Sequence, residues 1–181
     1  MVLVFIIIGL LIVSVIVKIV AASKKEIDLS MEVEKLGAKE GLLATHVEGL
    51  GLGPVECKIF RFDDRILIDA NTHRFEIPLE RVRAAVALTE EEIIQKNKSV
   101  VGRALIGTLI VPGLGTIVGG MSGIGTKNKG KKNNHYLILN FLDSNGQMAA
   151  VSFQDQVRFI MNKFCKNVNE SIPANSDVIR L

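Results

Sequence analysis

Two glycine-rich stretches are the first places where this sequence could carry chemistry. Gly125-Thr-Lys-Asn-Lys-Gly130-Lys131 has the GxxxxGK spacing of a loop that cradles phosphate. The following residue is Lys132, however, where that loop needs a Ser or Thr hydroxyl for Mg²⁺. The chain beyond it alternates like a strand instead of opening a helix whose N-terminus could face phosphate. Gly113, Gly115 and Gly119 have loose dinucleotide-binding spacing, but no convincing acidic partner follows about 20 residues on. No nucleotide or other cofactor is expected.

The remaining reactive residue types are scattered. His46, His73 and His135 lie far apart, and none sits near a cysteine at metal-ligand spacing, so no metal is expected. Cys57 alternates with Ile59, and Cys165 falls on the apolar face of a helical pattern; both read as packing residues. Asp63-Asp64 reads as a turn, and Glu90-Glu91-Glu92 as a solvated charge run. No catalytic residue emerges, and enzyme activity is not expected.

The elements around these residues say more about place than about chemistry. The chain has 181 residues, of which 48% are hydrophobic and only 5% aromatic. A net charge of +3 does not argue for nucleic acid, and two cysteines are too few for a disulfide framework. Between Val2 and Ala22, 18 of 21 positions are apolar, broken only by Gly9, Ser14 and Lys18. As a helix this run is about 31 Å long, one hydrocarbon thickness. Val20-Ala21-Ala22 would suit signal-peptide cleavage, but no basic residue precedes the run and the run is long. An uncleaved, single-pass anchor over residues 1–22 is therefore expected. Positive charge appears at Lys18, Lys24 and Lys25, so the positive-inside rule puts the bulk of the chain in the cytoplasm at the cell membrane.

Residues 23–40 mix charge with weak helical spacing (Ile27, Met31, Val33, Leu36) and read as a linker or short amphipathic helix. From Gly41 the period becomes two. Candidate strands are Ala44–Val47, Glu56–Phe62, Ile66–Ile68, Phe75–Ile77 and Arg83–Thr89. Tyr136–Phe141 and Met148–Phe153 flank Asp143-Ser-Asn-Gly146, a loop with glycine placed for positive φ, and so predict a hairpin. Gln154–Ile172 carries Val157, Ile160, Met161, Phe164, Cys165 and Val168 at helical spacing, with Pro173 as a stop and 173–181 as a tail. The expected fold class is mainly β with a C-terminal helix, a small barrel or pair of sheets closed at one end by that helix.

Residues 99–126 interrupt this domain with glycine. Nine of the 16 glycines fall between Gly102 and Gly130, and Pro112-Gly113 splits the segment into two short apolar arms. Gly115, Gly119 and Gly123 form GxxxGxxxG, which on a helix permits close backbone approach. Gly102, Gly107, Pro112, Gly113, Gly115, Gly119 and Gly123 are the candidate packing residues of a helical hairpin. The hairpin could pack on the domain, dip into the bilayer or associate with a second copy. Lys127, Lys129, Lys131 and Lys132 are either a solvated loop or a basic patch for an anionic membrane surface.

The order of motifs is also familiar. A Gly-Leu-Gly breaker (residues 49–51) and a Cys-x-Ile strand (57–59) precede Phe75-x-Ile-Pro-Leu79. Lys98-Ser-Val-Val-Gly-Arg-Ala104, Pro112-Gly-Leu-Gly-Thr-Ile-Val-Gly-Gly-Met-Ser-Gly123 and a Tyr136-Leu-Ile-Leu-Asn140 hairpin follow, with a helix last. Together they resemble small bacterial proteins with a pleckstrin-homology-like (PH-like) domain, over residues 41–172. The resemblance implies a bent barrel of about seven strands capped by the last helix, and it carries no catalytic residues. The expected function is a non-enzymatic, membrane-tethered interaction module, whose PH-like domain binds a protein or lipid partner at the inner membrane surface. The alternative is a membrane-active or homo-oligomerising protein acting through the glycine hairpin.

Overall fold

The structure, a computed structural model, describes residues 2–89, 91–93, 135–155 and 157–173. The glycine hairpin and the lysines at 127–132 lie outside the described residues.

The chain opens with α1, Val2–Leu36, a single helix of 35 residues and so about 52 Å long. The helix therefore runs straight through residues 23–36, where the sequence suggested a linker or separate short helix. No Gly or Pro interrupts the chain there: Ser23 to Leu36 is dominated by Lys, Glu, Leu and Met, all good helix formers. The stop comes at Gly37, whose φ of 69° gives the left-handed turn of a helix C-cap. Gly37 N–H donates to Glu34 O (3.1 Å) and Ala38 N–H to Val33 O (2.9 Å), the two bonds of a Schellman motif.

Seven strands follow: β1 (Glu40–Glu48), β2 (Glu56–Arg61), β3 (Arg65–Asp69), β4 (Arg74–Pro78), β5 (Val82–Thr89), β6 (His135–Leu142) and β7 (Met148–Asp155). They form one sheet in the order β4-β3-β2-β1-β7-β6-β5, with every neighbouring pair antiparallel. A 3-10 turn, Leu79–Arg81, joins the two edge strands. The register is set by alternation: Cys57 and Ile59 face the core with Ile66 and Ile68 beside them, so a one-residue slip would expose all four. Gly146 has the expected positive φ of 75°, and Asp143 Oδ1 accepts N–H bonds from Asn145 and Gln147 to close the β6–β7 turn.

The sheet bends on itself. Residues of both edges, Ile77 on β4 and Ala85 on β5, belong to one buried cluster with Leu42, Leu139, Val151 and Phe153. The last helix, α2 (Arg158–Ser171), closes it with Met161, Phe164, Cys165 and Val168. It begins later than the helical spacing from Gln154 suggested, because Gln154 and Asp155 are taken into β7, opposite Tyr136 and His135. Asn169 of α2 covers part of the free β5 edge. Its Oδ1 accepts from Ala85 N–H and its Nδ2 donates to Ala85 O, both at 2.8 Å, as a neighbouring strand would.

Candidate functional site: the groove between the apolar helix and the sheet

Only the second half of α1 touches the sheet. Leu29 and Val33, with Ala38, pack on Phe60, Phe62 and Leu67, an apolar cluster on the outer face of β2 and β3. Gly41 makes this approach possible, since a Cβ there would come within 2.7 Å of Val33 Cγ2. Three ion pairs reinforce the region. Lys25 Nζ lies 2.7 Å from Glu56 Oε2, and Lys58 pairs with Glu32. Arg61 pairs with Glu40, which also accepts from Asn167 Nδ2 at 2.8 Å, while Arg61 reaches Ser171 Oγ at 3.0 Å.

Between these contacts lies a groove of about 550 Å³. One wall is α1 from Ala22 to Val33, the other is β1 from Gly41 to Thr45, and Val157 and Ile160 at the start of α2 close one side. Its surface is mostly apolar, with Lys25, Glu26, Glu56 and Asp155 among its charged residues. Such an arrangement can hold an apolar or amphipathic group and orient it by a few polar contacts.

No histidine or cysteine lines it. Among the described residues, no cluster of three or more His, Cys, Asp or Glu could hold a metal ion. Cys57 and Cys165 are free and buried, as their spacing suggested. Burial pushes both thiols up, Cys165 to about 12, so they stay protonated and weakly nucleophilic at neutral pH. The three histidines stand apart. His46 is buried at the end of β1, with Nδ1 3.2 Å from Gly53 O and Nε2 accepting from Leu50 N–H at 3.3 Å, so it clamps the β1–β2 loop. His73 stacks on Phe75, and His135 is buried on β6. Asp63 and Asp64 form the β2–β3 turn and pair with Lys39 and Arg65.

Glu92 departs from its expected place in a solvated charge run. Its carboxylate accepts Thr89 N–H at 2.7 Å, while its own N–H donates to Thr89 Oγ1 at 3.1 Å, a capping box that opens a helical turn. The Thr89 backbone N–H, helped by the Thr89 hydroxyl and by Arg158, holds the Glu92 carboxyl below its ordinary value. The signal was present as Thr89-x-x-Glu92. The groove itself had no comparable signal, because its walls come from residues 22–33, 41–45 and 154–160.

No family model matches this chain, and no curated protein matches it.

Proposed function

We propose that the protein is a membrane-tethered interaction module, with its β domain held at the inner membrane surface and its groove binding a protein or lipid partner. One observation carries the reading. A single helix is apolar and exposed along its first half, and gripped by the sheet along its second. Among the described residues one helix is long and apolar enough to cross a membrane, and its apolar window has no buried residues. The same helix continues without a break into Leu29 and Val33, which pack on the sheet. An anchor joined in this way holds the domain in one orientation instead of on a loose tether. A bent seven-stranded sheet with a last helix packed into its core supports the PH-like reading of residues 41–172.

The test is topology together with occupancy. New thiols at Ser30→Cys and Asn145→Cys are expected to resist an impermeant reagent in intact cells and to react after lysis. The native thiols are buried and do not interfere. Labelling of either position in intact cells would overturn the cytoplasmic placement. A photo-crosslinker at Thr45, exposed and lining the groove, should give a discrete adduct in membranes that Ile160→Glu abolishes.

A further inference from the structure

We propose that the first turn of α2 is a second membrane contact, with Phe159 seated in the headgroup layer of an anionic bilayer. The inference rests on the membrane-tethered reading above. Beyond α1, the exposed large hydrophobic side chains among the described residues are Val157, Phe159 and Ile160, at 45%, 77% and 36%. They occupy three of four consecutive positions, and Phe159 is more exposed than the described large side chains of the apolar run, of which Leu10 reaches 66%.

Their position relative to α1 identifies the occupant. The last turn of α2 is held beside Glu40 and Arg61 by Asn167 and Ser171, close to where α1 ends at Leu36. Its first turn, through Val157 and Ile160, shares the groove with Ala22 and Lys25, where the apolar run ends. The two helices therefore point the same way. Arg158 to Ser171 rises about 20 Å and Ala22 to Leu36 about 21 Å, so the first turn of α2 lies level with the exit of the anchor.

Helical side chains lean toward the N-terminus, so Phe159 leans toward that same level. Lys163, one turn on along the same face, is exposed. Arg158 is half-exposed and pairs with Glu92 at 2.9 Å, and Glu56 is paired with Lys25, so these carboxylates are compensated. An exposed aromatic ring with an exposed lysine one turn behind it is the chemistry of an interfacial anchor.

The sequence has no Trp, so Phe159→Trp in the full chain is a single fluorescent reporter. The protein would be reconstituted in phosphatidylcholine–phosphatidylglycerol vesicles whose acyl chains carry bromine near the headgroup. The Phe159→Trp indole is expected to emit at shorter wavelength and to lose emission to the brominated lipid. Glu170→Trp, in the last turn of the same helix, should keep its emission. Water-like, unquenched emission from Phe159→Trp overturns the proposal. So does a short-wavelength emission that ignores brominated lipid and grows with protein concentration, which would mark a second copy as the occupant. Ile12→Trp, read in vesicles brominated near the acyl-chain ends because residue 12 lies at the centre of the apolar run, separates the two levels of the argument. Quenching there without quenching at Phe159→Trp overturns this contact alone, whereas no quenching at Ile12→Trp overturns the membrane-tethered reading and this contact with it. The three positions are exposed, so an unchanged melting temperature is expected throughout.

Discussion

The two halves of α1 share one backbone and differ in what surrounds them. Leu10, Leu11 and Val17 are each more than half exposed, so none of the described residues covers them. Around Leu29 and Val33 a narrow apolar stripe meets Phe60 and Phe62, and the other faces carry Lys, Glu and Asp. Apolar side chains on every face suit a surrounding hydrocarbon solvent, whereas one apolar stripe suits a protein partner. The difference teaches that helix continuity is not continuity of surface: one rod carries two surfaces suited to different surroundings.

The sharpest way to break this comparison is to put one charge in each half. Leu11→Asp should cost roughly 3 kcal/mol of membrane insertion, as for an acidic residue at mid-bilayer, and leave the melting of the β domain unchanged. Leu29→Asp should do the reverse, lowering the melting temperature while membrane partition persists. Carbonate extraction and thermal melting of both variants give the four readings. If Leu11→Asp alone unfolds the domain, the first half of α1 has a protein partner after all.

A smaller effect is expected where α2 meets the sheet. Asn169→Ala leaves the Ala85 N–H and C=O without their partners at a partly buried position, at a cost of roughly 1–2 kcal/mol. Asn169→Asp restores the acceptor but not the donor and should recover part of that loss in denaturant titrations. No change in either variant would mean that α2 is held by its apolar stripe alone.

Much of the strand pattern was legible because burial on one face imposes a period of two, as at Cys57, Ile59, Ile66 and Ile68. The α2 stripe was legible for the same reason at helical spacing. What could not be read depends on contacts between distant residues. Gly41 looks like a strand boundary, yet it lies inside β1 because Leu29 and Val33 press on it. Gln154 and Asp155 fit a helix locally but are claimed by cross-strand partners. Residues 23–36 looked weakly helical because only two positions of that stretch, Leu29 and Val33, pack on the sheet. The groove is still further from the sequence, since three separate segments make its walls.

Alkaline pH gives a prediction of on the order of 1 kcal/mol. Burial raises the Cys165 thiol from 9.0 to about 12, so the folded state holds a proton that the unfolded state releases. The stability this confers is fully present below pH 9.0 and is lost as the pH rises toward about 12, at roughly 1.4 kcal/mol per unit. Cys165→Ala should flatten the decline between pH 9 and 10 relative to the parent. Parallel curves would show that other groups dominate. Glu92 has the opposite sign: its carboxyl is lowered below 4.5, so its contribution is present above that value and fades as the pH falls through the lowered one.

The smallest expected effect compares two ion pairs near opposite ends of the gripped half of α1. The Lys25 and Glu56 side chains are 59% and 55% exposed, so water and salt screen them, and the pair should contribute under about 0.5 kcal/mol. The Arg61 and Glu40 side chains are 14% and 17% exposed, and each makes a further hydrogen bond to α2. Removing Glu40 alone strands a mostly buried guanidinium, which costs more than the pair itself is worth. A double-mutant cycle on Lys25→Ala and Glu56→Ala should give a coupling that vanishes in molar salt. The cycle on Arg61→Ala and Glu40→Ala should give a larger one that survives it. If Lys25–Glu56 instead proves the stronger and salt-resistant pair, low-dielectric surroundings must reach it. That result would place the headgroup layer higher on α1 than Ala22, up to the level of Lys25.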